Sequence, residues 1–129
     1  MRYHTAAENA LCHCYRTCFE LLVQHGLRSI GLPCVYTEAK GFPRDAAAHV
    51  ACRTLRRFLD KWGGKVDSIA LCVAGEDALI YDRVLPLYFP RSTEEYEKAC
   101  RELPSNVGND YGKTLNPAID PVSLVHSKP

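Results

Sequence analysis

Residues 29–43, Ser-Ile-Gly-Leu-Pro-Cys-Val-Tyr-Thr-Glu-Ala-Lys-Gly-Phe-Pro, decide how the rest of the chain is read. Ile30 to Val35 is an apolar run too short for a helix and bounded by turn formers, the pattern of a buried parallel strand. A polar turn holding Gly41 and Pro43 follows. Ala46, Ala47, Val50, Ala51, Thr54, Leu55 and Phe58 then recur at helical spacing. In open α/β folds, ligands gather outside the carboxyl ends of strands, at strand–loop–helix junctions of this kind.

Working outward, residues 4–25 predict a helix. Thr5 is its expected N-cap, with Glu8 completing a capping box. Ala7, Leu11, Cys14, Cys18, Leu21 and Leu22 are its expected apolar face, and Gly26 its stop. The second helix spans 44–61, with Asp45 in a first turn that favours negative charge. Gly63-Gly64 ends it, and Val66–Val73 reads as a second buried strand. A turn at Gly75-Glu-Asp77 opens a short helix to about Leu87, halted by Pro90. A last helical turn or two near Thr93 to Glu102, charged on most sides, is expected on the surface. From Pro104 onward the residues lack apolar periodicity, so 104–129 is expected to be an irregular or extended tail behind a 1–103 unit.

The two strands should be parallel neighbours with helix 44–61 packed across them. Purely parallel sheets are normally covered on both faces, and two strands make a poor sheet. The expected architecture is therefore α/β, a partial three-layer α/β/α fold with a small parallel sheet. Its open sheet edge calls for another protein chain or a multi-subunit complex to cover it.

Composition narrows the function classes. At 129 residues the chain has room for one domain, with 47% hydrophobic and 24% charged residues, ordinary for a globular protein. A formal charge of +1 gives no global pull toward nucleic acid or membrane. No apolar run approaches the roughly 18 residues of a membrane span, and the N-terminus lacks a signal-peptide apolar core. Seven cysteines, read as small reduced hydrophobes, predict an intracellular, reducing compartment: the cytoplasm by default, an organelle or ciliary complex being compatible.

Several constellations have a plain structural reading. Cys12-His13-Cys14 with Cys18 lacks the second paired cluster of a zinc site, so core packing is expected, with no metal and no cofactor. Cys34 and His49 would have to converge to act as a nucleophile pair; an interior cysteine and a surface histidine are the simpler expectation. Glu38, Glu76 and Asp77 are acidic groups near strand ends, and turn solvation and capping account for Glu76 and Asp77 without acid–base work. Arg53, Arg56, Arg57 and Lys61 form a basic stripe expected to be a solvated face rather than a surface for nucleic acid or an acidic partner. Trp62, Tyr88 and Phe89 are expected as packing anchors or interface residues.

The runs SIGLPCVYTEAKGFP (29–43), DAAAHVACRTLRRFL (45–59) and IYDRVLPLYFPR (80–91), with the opening TAAENALCHCYR (5–16), resemble the C-terminal half of a macro domain. That resemblance implies an α/β/α fold that usually binds ADP-ribose and in some members hydrolyses its linkages to proteins. The family's adenine-contacting acidic residue and ribose loop lie in the N-terminal half, and no counterpart precedes Met1. If the sequence is complete, half of the ligand cleft is absent.

The family's diphosphate loop reads Ser-Thr-Gly-x-x-Gly-x-Pro. In that register this chain has Tyr36, Thr37, Glu38, Ala39, Lys40, Gly41, Phe42 and Pro43, of which Thr37, Gly41 and Pro43 are kept. Glu38 replaces the first glycine and sets a carboxylate against a diphosphate. At an effective dielectric near 20, two such charges about 4 Å apart repel by roughly 4 kcal/mol, about a thousandfold in affinity. Lys40 offsets part of this as a point charge. Tyr36 to Phe42 are the ligand-loop candidates, and no catalytic residue stands out. Two readings follow: a non-catalytic binding or structural subunit with weakened or lost ADP-ribose binding, or an ADP-ribose reader completed by another subunit.

Overall fold

Alanines set the centre of the fold. Ala47, Ala48 and Ala51 lie along one helix with Val50, Cys52, Leu55 and Phe58, and all are buried. Alanine loses no side-chain entropy in a helix and lets neighbouring backbones come close. The computed structural model describes residues 2–35, 42–104 and 109. The elements are α1 (Arg2–Gln24), β1 (Ser29–Pro33), α2 (Arg44–Trp62), β2 (Ser68–Cys72), α3 (Glu76–Tyr88) and α4 (Thr93–Glu102), with a 3-10 turn at Gly63–Lys65. The partial α/β fold expected from the sequence is the one observed.

α2 packs between α1 and α3. Tyr15 and Phe19 of α1, Leu32 of β1, Leu55 and Phe58 of α2, and Ile80, Tyr81 and Val84 of α3 share one core. The Phe19 ring stacks on Phe58 with centroids 4.8 Å apart. Leu11, Cys12, Phe42, Ala47 and Val50 form a smaller cluster toward the start of α2. At the far end, the Arg56 guanidinium donates to the Tyr88 carbonyl at 3.1 Å and lies over the Phe89 ring, satisfying a carbonyl of α3's last turn. α4 is capped by Ser92, whose Oγ accepts from the Glu95 N–H at 3.1 Å, and rests on α3 through Ala99.

The sheet is a parallel pair with register Ile30↔Ile69, Gly31↔Ala70 and Leu32↔Leu71. Its entrance is fixed where the Arg28 carbonyl accepts from the Asp67 N–H at 2.7 Å while the Arg28 side chain pairs with Asp67 at 3.0 Å. Ile30, Leu32, Ile69 and Leu71 pack toward the helices. Ser29, Gly31, Pro33, Ser68, Ala70 and Cys72 point the other way and are exposed. Strands buried on both faces were expected; here, among the described residues, helices cover one face only.

The structure corrects α1 in two respects. It begins at Arg2, so Thr5 lies inside the helix and is not its N-cap. The buried face runs Leu11, Cys12, Tyr15, Phe19 and Leu22, whereas Cys14 and Leu21 are exposed. Two aromatics win the interior over a cysteine and a leucine because they bury more area. Gly26 ends the turn after α1 with φ 68°, the left-handed conformation that favours glycine. The 104–129 tail lies almost wholly outside the described residues. Replacing the fully buried Phe19 by alanine (Phe19→Ala) should destabilise the fold by about 3–5 kcal/mol, read as a lowered urea midpoint at unchanged m. A loss below about 1 kcal/mol would show that α1 is not part of the cooperative core.

Candidate functional site

Beyond β1 the chain continues through Cys34 and Val35 to the ligand loop. Tyr36, Thr37, Glu38, Ala39, Lys40 and Gly41 lie outside the described residues. The described shoulders of that loop are firmly held. The Val35 N–H donates to the Tyr15 hydroxyl at 3.0 Å, and the Tyr81 hydroxyl also bonds Tyr15. Burial pushes both tyrosines well above their usual range. This pair ties α1 and α3 to the end of β1. On the other shoulder, Phe42 is buried in the smaller cluster, and the Pro43 carbonyl accepts from the Ala47 N–H at 3.0 Å. Of the seven loop candidates, Phe42 is thus a packing anchor in the described structure.

Arg44 opens α2 and reaches the first turn of α3. Its Nη1 lies 2.9 Å from Asp77 Oδ2 and its Nε 3.6 Å from Glu76 Oε1. Asp45 answers with a 3.2 Å pair to Arg83. Each carboxylate sits in the first turn of its helix, where the dipole favours negative charge. The site is therefore the carboxyl end of the sheet, flanked by two helix N-termini cross-braced by ion pairs. Such an end suits an anionic ligand held by backbone N–H groups.

Among the described residues, Cys34, His49, Glu76 and Asp77 are each engaged or shifted by their surroundings. Cys34 has its thiol pushed above its usual range, first by burial and then by Asp77, against the opposing effects of Tyr81 and Arg44. It therefore stays protonated at neutral pH and is a weak nucleophile. His49 does not serve it: His49 Nδ1 lies 2.8 Å from the Tyr88 hydroxyl, with the rings edge-on. Glu76 and Asp77 both answer Arg44. Among the described residues no group of three or more His, Cys, Asp or Glu gathers as a metal site.

The basic stripe divides. Arg53 is buried, 3.9 Å from Glu8, and burial lowers its pKa against the pull of that carboxylate. Arg56 clamps the end of α3, as described, while Arg57 and Lys61 line a groove beside α1. The expected solvated face therefore fails at Arg53, because α1 packs over that side of α2. Tyr88 is a buried anchor, and Trp62 is 40% exposed. The site residues that sequence reasoning passed over are Tyr15, Tyr81 and Arg44. Tyr15 was traceable, standing four residues from both Leu11 and Phe19 on one helical face.

The Macro domain family model matches residues 1–51. The chain is similar to Protein GDAP2 homolog of Nematostella vectensis, 41% identical over 90% of this chain and 23% of that protein. It is likewise similar to ganglioside-induced differentiation-associated protein 2 of Xenopus laevis and of Homo sapiens, at 40% and 36% identity over the same shares. It thus spans under a quarter of these relatives. Among solved structures, the macro domain of ganglioside induced differentiation associated protein 2 superposes with a TM-score of 0.68 at 38% identity, over 71% of this chain and 46% of that one.

His49 gives the site a pH signature. Burial, reinforced by Arg53 and Arg83 and opposed by Asp45 and Glu8, lowers its pKa. Below the unfolded value of about 6.5 the unfolded chain takes up a proton that the folded site resists. The stability His49 contributes is present above that pH and lost as pH falls. Urea midpoints should therefore drop further between pH 7.5 and 5 in the native chain than in a His49→Gln variant. Equal drops would remove His49 from the account.

Proposed function

We propose that this chain, which carries the C-terminal part of a macro-domain fold, is a non-catalytic binding subunit whose open sheet docks on a partner chain. The observation that carries the reading is the outer edge of β2. Among the described residues each strand has one edge outside the ladder. Beside Ser68 and Ile69 opens a groove of about 470 Å³ lined by Leu55, Leu59, Val66, Leu85 and Phe89. An unpaired edge offers backbone donors and acceptors to an added strand, and an adjacent apolar groove receives that strand's side chains. The exposed outer face of small residues supports the same docking.

In this reading ADP-ribose binding is weakened or lost, because Glu38 brings like charge to the diphosphate position. The absence of catalysis is supported by the protonated Cys34 thiol and by the engagement of His49 with Tyr88. Seven free cysteines support a reducing, intracellular compartment. The second reading is an ADP-ribose reader completed by another subunit. Thr37, Gly41 and Pro43 favour it, since they keep the spacing of the diphosphate loop.

Two measurements separate these. Size-exclusion with light scattering should find the purified chain self-associated or bound to a partner, and a well-folded monomer at all concentrations would count against docking. Calorimetry with ADP-ribose should show binding weaker than micromolar, strengthened up to about a thousandfold by Glu38→Gly. Micromolar or tighter binding by the native chain would instead establish the reader.

A further inference from the structure

The C-terminal halves of α1 and α2 line a second groove, of about 400 Å³. Thr54, fully buried in its lining, donates its hydroxyl to the Val50 carbonyl at 2.6 Å and so presents no free polar group to the groove. The floor is apolar, made by Val23 and Phe58, and Trp62 closes one end with its indole partly in solvent. Arg16, Arg57 and Lys61 stand around the rim.

The lining carries three cations and one carboxylate, Glu20, in a molecule whose overall charge is only +1. With Asp60 beside Arg57, the groove keeps a positive excess that Lys61 supplies. The rim guanidiniums pair with carboxylates of their own helices, Arg16 with Glu20 at 3.3 Å and Arg57 with Asp60 at 4.0 Å. Both carboxylates are exposed while the guanidiniums are half-buried, and pairs at these helical spacings are weak enough to exchange with an incoming carboxylate. The volume lies within the range of ligand pockets and admits one large apolar side chain with its flanking backbone.

We infer that this groove binds an acidic peptide segment, with one aromatic or branched aliphatic anchor on the Val23–Phe58 floor and flanking carboxylates at Arg16, Arg57 and Lys61. The assignment is independent of the docking proposed for the sheet. Apolar floors bounded by charge of one sign select partners by anchor and complementary charge together, the anchor giving affinity and the rim selectivity.

Trp62 is the sole tryptophan and reports from the groove itself. The probe is a capped hexapeptide with glutamates on both sides of a Leu-Phe pair. Titration should shift Trp62 emission to the blue and saturate. Lys61→Glu, a change at an exposed position, should weaken binding roughly tenfold. Raising salt should weaken it as well. Three results would overturn the inference: no emission change at millimolar peptide, equal binding by the version with lysines for glutamates, or equal binding by a version with Ala-Ala in place of Leu-Phe. An equal, saturable shift with inorganic tripolyphosphate would also overturn it, since the groove would then read charge alone.

Discussion

Close approach along α2 is the constraint on which the rest depends. With alanines at 47, 48 and 51, α1 and α3 reach the flanks of this helix while the sheet lies against the same core. Bulkier residues there would push the flanking helices apart and separate Phe19 from Phe58. The cost of that closeness appears in the polar groups it buries. Arg53 is taken from solvent and meets Glu8, and Thr54 bonds its own helix. Both are satisfied, and none of the fully buried side-chain nitrogens or oxygens among the described residues lacks a partner.

The same packing sets the geometry around the loop. Because α1 is pressed onto α2, Tyr15 reaches the Val35 N–H at the end of β1. Because α3 is pressed onto the other flank, Arg44 reaches Asp77 and Glu76. The described ends of the loop, Val35 on one side and Phe42 on the other, are therefore fixed points. Burial raises the pKa of Tyr15 and Tyr81, and partial burial that of the Cys34 thiol, so all three stay neutral beside the loop.

Much of this was legible in the residues. The helices and both strands stand within a few positions of where periodicity put them, because each is bounded by glycine, proline or a capping serine. The capped Ser92 helix is legible from Ser-x-x-Glu alone. The face of α1 was not, since Leu11 and Leu22 are shared by two overlapping apolar stripes and only contact with α2 chooses between them. The burial of Arg53 was hidden for a similar reason: charge argues for solvent, and its partner Glu8 lies far away in sequence. The loop candidates followed from spacing and resemblance, and of them Phe42 is placed, as an anchor.

The outer sheet face carries one further consequence. Large and small residues alternate along both strands, and Gly31 stands opposite Ala70 on the open side. Among the described residues, a methyl group at position 31 would meet nothing nearer than the Cys72 sulfur at 3.8 Å, an ordinary contact. Within this fold, then, the missing methyl does no steric work, and an alanine would reduce the freedom of the unfolded chain. Whatever rests on that surface could sit a carbon's width closer because of it, so position 31 divides what holds this polypeptide together from what it can be pressed against.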